Sequence, residues 1–550
     1  MTSANSQIRS HFLLLIAFCG FLFFYGLGAF GLLGADEPRY AQIAREMLDR
    51  GDWITPVLNG KPWLEKPPLY YWQTMLAYRV GRSLPSRPEA TSLEDGLRDQ
   101  LARFPSAIDA AFLIAIVYLF LRRFRPGTEL DGALITASCA GIIGFAHAAA
   151  TDMPLTATFS VALLAWYAWY ENRRRSALAI FYLFLALGML AKGPVAPALA
   201  GVIVVPFAAL KRDRKIVLDT LWPPGILLFL VVTLPWYVAV QLRNPEFFRF
   251  FILEHNLARF SSNVYHHPQP FWFYLPVFLL AVMPWTVWLI AAVVAHARQF
   301  WSGGCSAFAG PEDSWTLFLL IWMFVPVLFF SASQSKLPAY ILPAVPAAAL
   351  LVTDYLAARR EGEVRTPWWL AAVHGLLCGL LAFGALSAAS IAATHHLARG
   401  PALYVAAALG LVIALGIIVA LLTSAGPRLV RSATMIAVIV SVAAVIRFAA
   451  PVIDATQSSR PIAVSIQSFS QQPVPVALYH VNRIVGYGLD FYLNRPTLKY
   501  EAGEIPREAH VVVAASGTDP EFRALVGSRK VSYLTSVPAQ KLQLYWIAPE

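Results

Sequence analysis

Asp36, Glu37 and Arg39 stand together in the run Leu33-Gly34-Ala35-Asp36-Glu37-Pro38-Arg39-Tyr40, directly after the first apolar stretch of the chain. A carboxylate beside hydrocarbon costs several kcal/mol unless it is paired, metal-bound or wetted. Two adjacent acids and a guanidinium at the mouth of a membrane span therefore read as a reactive loop rather than a linker. A carboxylate there can orient or deprotonate an acceptor, and the cation can meet an anion.

Other chemistry-bearing groups recur at the ends of apolar runs. Glu65-Lys66-Pro67-Pro68 holds an acid and a cation in a turn stiffened by proline. Lys66 suits a phosphate, with Glu65 binding a metal or orienting a neighbour, although an ordinary interfacial ion pair has the same composition. Asp152 precedes Met153-Pro154 and serves either as a second acid or as the cap of the next span. Lys192-Gly193-Pro194 is a cationic site or a tight turn. Ser335-Lys336-Leu337-Pro338-Ala339-Tyr340 places a cation and a phenol at a span mouth, where both residue types also serve as anchors. Between 243 and 270 lie Glu254, His255, Arg259, His266 and His267. Arg259 fits a phosphate through its forked guanidinium. Glu65 with His255 or His267 could hold Zn²⁺ or Mg²⁺, or Glu254-His255 could simply cap a loop helix.

The elements that must position these groups are membrane spans. Of the 550 residues, 58% are hydrophobic and only 14% charged, against about a quarter in soluble proteins. Apolar windows near 12–33, 105–121, 131–150, 154–170, 177–191, 193–210, 224–242, 271–296, 315–332, 338–357, 367–394, 401–424 and 429–449 predict thirteen spans. The first has no small-residue cleavage site and is read as retained. Alternate loops carry Arg122-Arg123, Arg173-Arg174-Arg175, Lys211 to Lys215, Arg359-Arg360 and Arg428 with Arg431, which the positive-inside rule assigns to the cytoplasm. Topology thus accounts for the net charge of +11 without nucleic acid. The acids, histidines and aromatic residues fall on the other face, the periplasm in a bacterial cell.

The predicted transmembrane domain covers 1–450, with outer loops 34–104 and 243–270. Within the first loop, 41–48 is a short amphipathic helix and 83–100 a polar, acidic, mobile stretch. From 451 to 550 the runs Val474–Leu478, His510–Ala515, Val531–Leu534 and Leu542–Ile547, with a helix at 519–526, predict a soluble α/β domain on the outer side. It has no nucleotide-binding glycine fingerprint. The four cysteines, Cys19, Cys139, Cys305 and Cys378, indicate neither a disulfide framework nor a thiolate metal site.

The motifs Leu33 to Ala41, Ile43-Ala44-Arg45-Glu46-Met47, Glu65-Lys66-Pro67, Asp152, Ala191-Lys192-Gly193 and Lys336 to Pro343, in this order and spacing, resemble the bacterial glycosyltransferases with a GT-C fold. Within that group the pattern is similar to the lipid A aminoarabinose transferases, over roughly residues 10 to 345. The resemblance implies an inverting transfer of a sugar from undecaprenyl phosphate to lipid A at the periplasmic face of the inner membrane. It makes Asp36 the carboxylate near the reacting centre, with Glu37 beside it and Asp152 as second acid. Lys66 and Arg259 would hold the carrier phosphate, helped by Arg39, Lys192 and Lys336. Tyr340 would line the donor cavity, and Glu65 with a histidine would bind the metal. The 83–100 stretch reads as an extra insertion, and two histidines compete for the metal. No protein partner is evident. A sister transferase moving hexuronic acid or mannose to lipopolysaccharide core or to protein would share these motifs. A transporter would instead concentrate its ionisable groups at the midplane of broken helices.

Overall fold

The computed structural model describes residues 2–83, 91–251, 254, 269–303, 311–394, 400–423, 426–469 and 473–550. Helix α1 (Thr2–Cys19) continues as a π-helical turn over Gly20–Phe24 and stops there, short of the residue 33 that hydropathy predicts. Gly26 and Gly34 take φ of 77° and 64°, left-handed backbone that glycine adopts without cost. Residues 25–35 thus run without a helix into α2 (Asp36–Arg50), which is longer than the predicted 41–48. Asp36 and Glu37 occupy its first turn, where the helix dipole favours anions. Gly51 closes it at φ 64°, its N–H donating to Leu48 O at 3.1 Å.

A two-residue hairpin, β1 (Val57–Leu58) and β2 (Lys61–Pro62), turns at Asn59-Gly60 and delivers the chain to Glu65-Lys66. Helix α3 (Leu69–Arg82) and helix α4 (Thr91–Phe124) follow. Residues 84–90 lie outside the described residues. The predicted mobile insertion at 83–100 is corrected over 91–100, which are the first turns of α4 with Asp99 fully buried. Its charge is paired with Arg460, a partner 361 residues away that local polarity does not reveal.

The predicted span at 131–150 is broken into α5 (Glu129–Ala137) and α6 (Ala140–Ala146), bent by 62°. Ser138 Oγ donates back to Leu134 O at 2.7 Å and accepts from Trp285 Nε1 at 2.9 Å, while Ala140 N–H donates to Met283 O. Neighbouring segments thereby satisfy the polar backbone that the break frees. The predicted span at 271–296 is likewise bent, by 116°. Helices α7 (Asp152–Asn172) and α8 (Arg175–Lys192) form a tight antiparallel pair.

Eight helices among the described residues are long and apolar enough to cross a membrane, or ten if each bent pair is one span. In Pro338–Glu361 the apolar window is 83% buried within the bundle, whereas in Pro223–Arg243 it is 22% buried, so the latter presents most of its surface outward. Along α7, Asp152 and Arg173 stand at opposite ends of 21 helical residues, about 30 Å apart. The basic turns gather at the Arg173 end, where Asp131 pairs with Arg360 and Arg431, and Arg125 with Glu171.

The C-terminal residues form an α/β unit with a five-stranded sheet of order β4-β3-β5-β7-β6. Its strands are β3 (Val476–Tyr479), β4 (Leu498–Lys499), β5 (His510–Ala515), β6 (Val531–Val537) and β7 (Leu542–Ile547). Strand β3 runs parallel to β4 and β5, and β7 is antiparallel to β5 and β6. The helices Arg460–Phe469 and Arg483–Leu493 share one apolar core with α2 and α3, so this unit packs onto the first outer loop. Gly31 sits at that seam: a Cβ there would collide with Ser458 Oγ and Tyr492 Oη. Gly31→Ala should therefore destabilise the fold by about 1–3 kcal/mol, seen as a lower unfolding midpoint in detergent. Gly144→Ala, which meets open space in α6, should not lower it.

Candidate active site

Asp36 and Glu37 are neighbours in sequence but point to different surroundings. The Asp36 side chain is 54% exposed and pairs with Arg39 one turn along α2. The Glu37 residue is only 8% exposed, and its carboxylate accepts four hydrogen bonds. Two come from Arg103, at 2.7 Å from Nη2 and 3.2 Å from Nε; one from Leu33 N–H and one from Ala149 N–H, each 2.7 Å. Arg103 is completely buried and spends its other three donors on backbone carbonyls: Leu27 and Phe30 through Nη1 at 2.8 Å, and Gly31 through Nη2 at 2.9 Å. All five guanidinium N–H groups are thereby used. The sequence reading groups Glu37 with the catalytic acids; the structure corrects this, because its lone pairs are committed to holding backbone. The carboxylate ties together the segment before Asp36, helix α4, and, through Ala149, the loop that leads into Asp152.

Arg39, expected as a phosphate ligand, is instead built into the wall. Its guanidinium lies 4.9 Å from the Trp63 ring centroid, 5.3 Å from that of Tyr487 and 5.6 Å from that of Tyr40. Burial opposes its charge, but Tyr40, Asp36 and Glu65 around it more than compensate and hold it protonated. The Nε of Arg39 and the hydroxyl of Tyr71 are buried with no hydrogen-bond partner among the described residues. Burial raises the Tyr71 phenol, which also feels Arg39, Glu65 and Asp36, so it is a neutral donor beside these charges.

The second cluster lies at the ends of α7 and α8. Asp152 is the first residue of α7 and Lys192 the last of α8, so each charge sits at the helix end whose dipole favours it. They form an ion pair, each side chain 13% exposed, and Lys192 Nζ lies 5.0 Å from the Tyr340 ring centroid. Asp152 is thus more than a cap, and Lys192 more than a turn residue. Lys336 is buried and donates to Ser333 O at 2.5 Å, so the structure shows it bracing its own turn instead of presenting a cation. Leu190 near the end of α8 and Leu64 beside Glu65 pack against one apolar cluster around Trp236.

Arg259, His255 and His267 lie outside the described residues, as does His266. Among the described residues no three His, Cys, Asp or Glu side chains gather as a metal site, and Glu65 is the one expected ligand that is described. The residues that sequence reasoning missed are Arg103, Asp99, Tyr492, Arg460 and Tyr487. Arg103 carried a signal, since an arginine within two residues of an apolar span needs a partner.

Residues 90–238 match the model of the dolichyl-phosphate-mannose-protein mannosyltransferase family. The undecaprenyl phosphate-α-4-amino-4-deoxy-L-arabinose arabinosyl transferase of Pseudomonas aeruginosa (strain UCBPP-PA14) is 33% identical over 361 residues, 64% of this chain and 61% of that protein. Transferase 1 of that name from Pseudomonas fluorescens (strain Pf-5) is 34% identical over 381 residues, 67% of this chain and 64% of its own length. The match thus spans less than two thirds of these relatives. The fold agrees with the crystal structure of ArnT from Cupriavidus metallidurans bound to undecaprenyl phosphate at a TM-score of 0.74 and 22% identity, covering 97% of both chains.

The geometry separates two kinds of acid. Arg103→Met leaves Glu37 buried and uncompensated and should destabilise the protein by about 3–5 kcal/mol. Asp36→Asn removes a half-exposed carboxylate, while Arg39 keeps Glu65 and the rings around it, and should cost about 1 kcal/mol. Thermal unfolding of the two variants in detergent distinguishes them, and equal losses would contradict the division. In sequence the chain is thus similar to the undecaprenyl phosphate-aminoarabinose arabinosyl transferases, and it shares the fold of ArnT.

Proposed function

We propose that this protein transfers 4-amino-4-deoxy-L-arabinose from undecaprenyl phosphate to a phosphate of lipid A, with inversion, at the periplasmic face of the bacterial inner membrane. The observation that carries the reading is Asp36: a half-exposed carboxylate oriented by Arg39, in the first turn of α2, which Glu37 ties to the backbone leading into Asp152. In the reaction an acceptor oxygen attacks the anomeric carbon, and the bond from that carbon to the carrier phosphate oxygen breaks, its electron pair leaving on the phosphate. A phosphate is already a good leaving group, so the main help is to neutralise its growing charge. Lys66 and Arg259 supply that charge, with Lys192 held in place by Asp152 and Tyr340. A lipid A phosphate is ionised at neutral pH and needs little deprotonation, so Asp36 orients it or stabilises positive charge building on the sugar ring. Tyr340 lines the donor cavity.

The membrane topology in this reading has thirteen spans. It counts as spans the eight long apolar helices, the two bent pairs, the shorter apolar helices Ile8–Phe24 and Val195–Leu210, and the largely buried α7. The basic ends face the cytoplasm, and the α/β unit lies in the periplasm as a domain over the site. Membrane lipids surround the bundle, and the reading requires no protein partner.

A divalent cation, Zn²⁺ or Mg²⁺, would be held by Glu65 with His255 or His267 and would add charge neutralisation at the leaving phosphate. The purified protein should then carry close to one equivalent of metal by elemental analysis. Glu65→Gln should lose most of it, and metal content unaffected by that substitution would remove Glu65 from the site.

The match of residues 90–238 to a mannosyltransferase family favours one second reading, transfer of mannose or a hexuronic acid to lipopolysaccharide core or to protein. Mass spectrometry of lipid A from cells with and without the gene separates the two. Gain of one aminopentose on a phosphate is the expected outcome, and unchanged lipid A would point to the second. Asp36→Asn should abolish the transfer while leaving the protein folded; near-normal turnover would remove Asp36 from the mechanism.

A further inference from the structure

The segment between α1 and α2 has no helix of its own, yet it sets where Asp36 begins. Arg103 grips its carbonyls from the membrane side, and the C-terminal unit grips it from the other. Gly31 N–H donates to Asp454 Oδ1 at 2.8 Å, and Leu32 N–H donates to Tyr492 Oη at 2.8 Å. Leu33 forms an isolated antiparallel bridge with Ser458. Arg460 Nη1 donates to Gly28 O at 3.2 Å and to Asp99 Oδ2 at 2.9 Å, and its Nη2 donates to Asp454 Oδ2 at 2.8 Å. Tyr492 Oη in turn donates to Asp99 Oδ1 at 2.8 Å, which closes the lattice onto α4. Farther along α2, Arg45 Nη2 donates to Phe491 O at 2.6 Å.

The same unit also reaches the site itself. Tyr487, on the helix Arg483–Leu493, stacks on the guanidinium of Arg39, the group that pairs with Asp36. A long arginine side chain is oriented only if something restricts its rotamers. Here three rings do so: Tyr40 next to it on α2, Trp63 from the first loop, and Tyr487, a residue 448 positions after Arg39.

We infer that the C-terminal α/β unit completes the active site: Tyr487 is a positioning residue for the Arg39–Asp36 pair, and the Asp454–Arg460–Tyr492 lattice is a clamp on residues 28–33. The inference rests on reading Asp36 as the reacting carboxylate. Displacement of a reacting group by about 1 Å can cost on the order of a hundredfold in rate without unfolding anything. Tyr487 is only partly buried, so its truncation is compatible with folding.

The test uses the full-length protein in detergent with the sugar-phosphate polyprenol donor and lipid A. Tyr487→Ala should lower kcat about tenfold to a hundredfold with little change in KM for the donor. Tyr487→Phe, which keeps the ring, should recover most of that loss. Wild-type kcat in Tyr487→Ala, or equal impairment in both variants, would overturn the positioning role. Hydrogen–deuterium exchange provides the arm that does not depend on the sugar. Tyr492→Phe should speed exchange at the amides of residues 30–33 while leaving α7 and α8 unchanged, and unaltered protection at 30–33 would overturn the clamp. Absence of any transfer by the wild-type protein would count against the proposed reaction, and the exchange result would still decide the clamp.

Discussion

The ion pair between Glu37 and Arg103 is the constraint on which the rest of the Asp36 end of the bundle depends. Two charges are removed from water almost completely, which is tolerable only if every lone pair and every N–H finds a partner. Here the guanidinium uses five donors and the carboxylate accepts four bonds; two are shared between them, and the other five go to the backbone of Leu27, Phe30, Gly31, Leu33 and Ala149. The pair therefore replaces secondary structure for a stretch of chain that has none. It does so at the place where a glycine-rich exit from α1 must become the start of α2.

That arrangement explains how two adjacent carboxylates acquire different roles. Successive residues on a helix point about 100° apart, so Asp36 and Glu37 cannot face the same way. One turns inward and is consumed in bonding. The other stays wet, beside Arg39 and near two polar atoms that have no partner among the described residues. The Asp152–Lys192 pair follows a parallel logic, since each charge ends a helix that favours it and the α7–α8 pairing brings the two ends together. An ion pair that is already formed when ligand arrives presents an oriented cation at less entropic cost than a free lysine would.

The C-terminal unit belongs to the same economy of satisfied bonds. Asp99 is buried and takes Tyr492 and Arg460 from it, while Gly31 must lack a side chain to let Ser458 and Tyr492 approach. Its helices share one apolar core with α2 and α3, so the outer loop and the α/β unit form a continuous packed layer over the bundle. Reading the chain as a membrane domain with an appendage misses this, because the contacts join residues more than 350 positions apart.

Composition and hydropathy by themselves established a multi-pass helical protein, since no soluble core accommodates so few charges. The order of the acidic and basic motifs was enough to identify the family resemblance, and the strands at 510–515 and 542–547 were plain from their β-branched and aromatic runs. Local patterns carried these features because span length and strand propensity are properties of short windows. Only the tertiary structure decided that Glu37 is bonded to Arg103 while Asp36 stays exposed, that Lys336 braces its own turn, and that 91–100 is helix instead of a mobile insertion. In each case the deciding term is a partner supplied from a distant part of the chain. A buried charge is stable or ruinous according to that partner alone, and no window of sequence contains it.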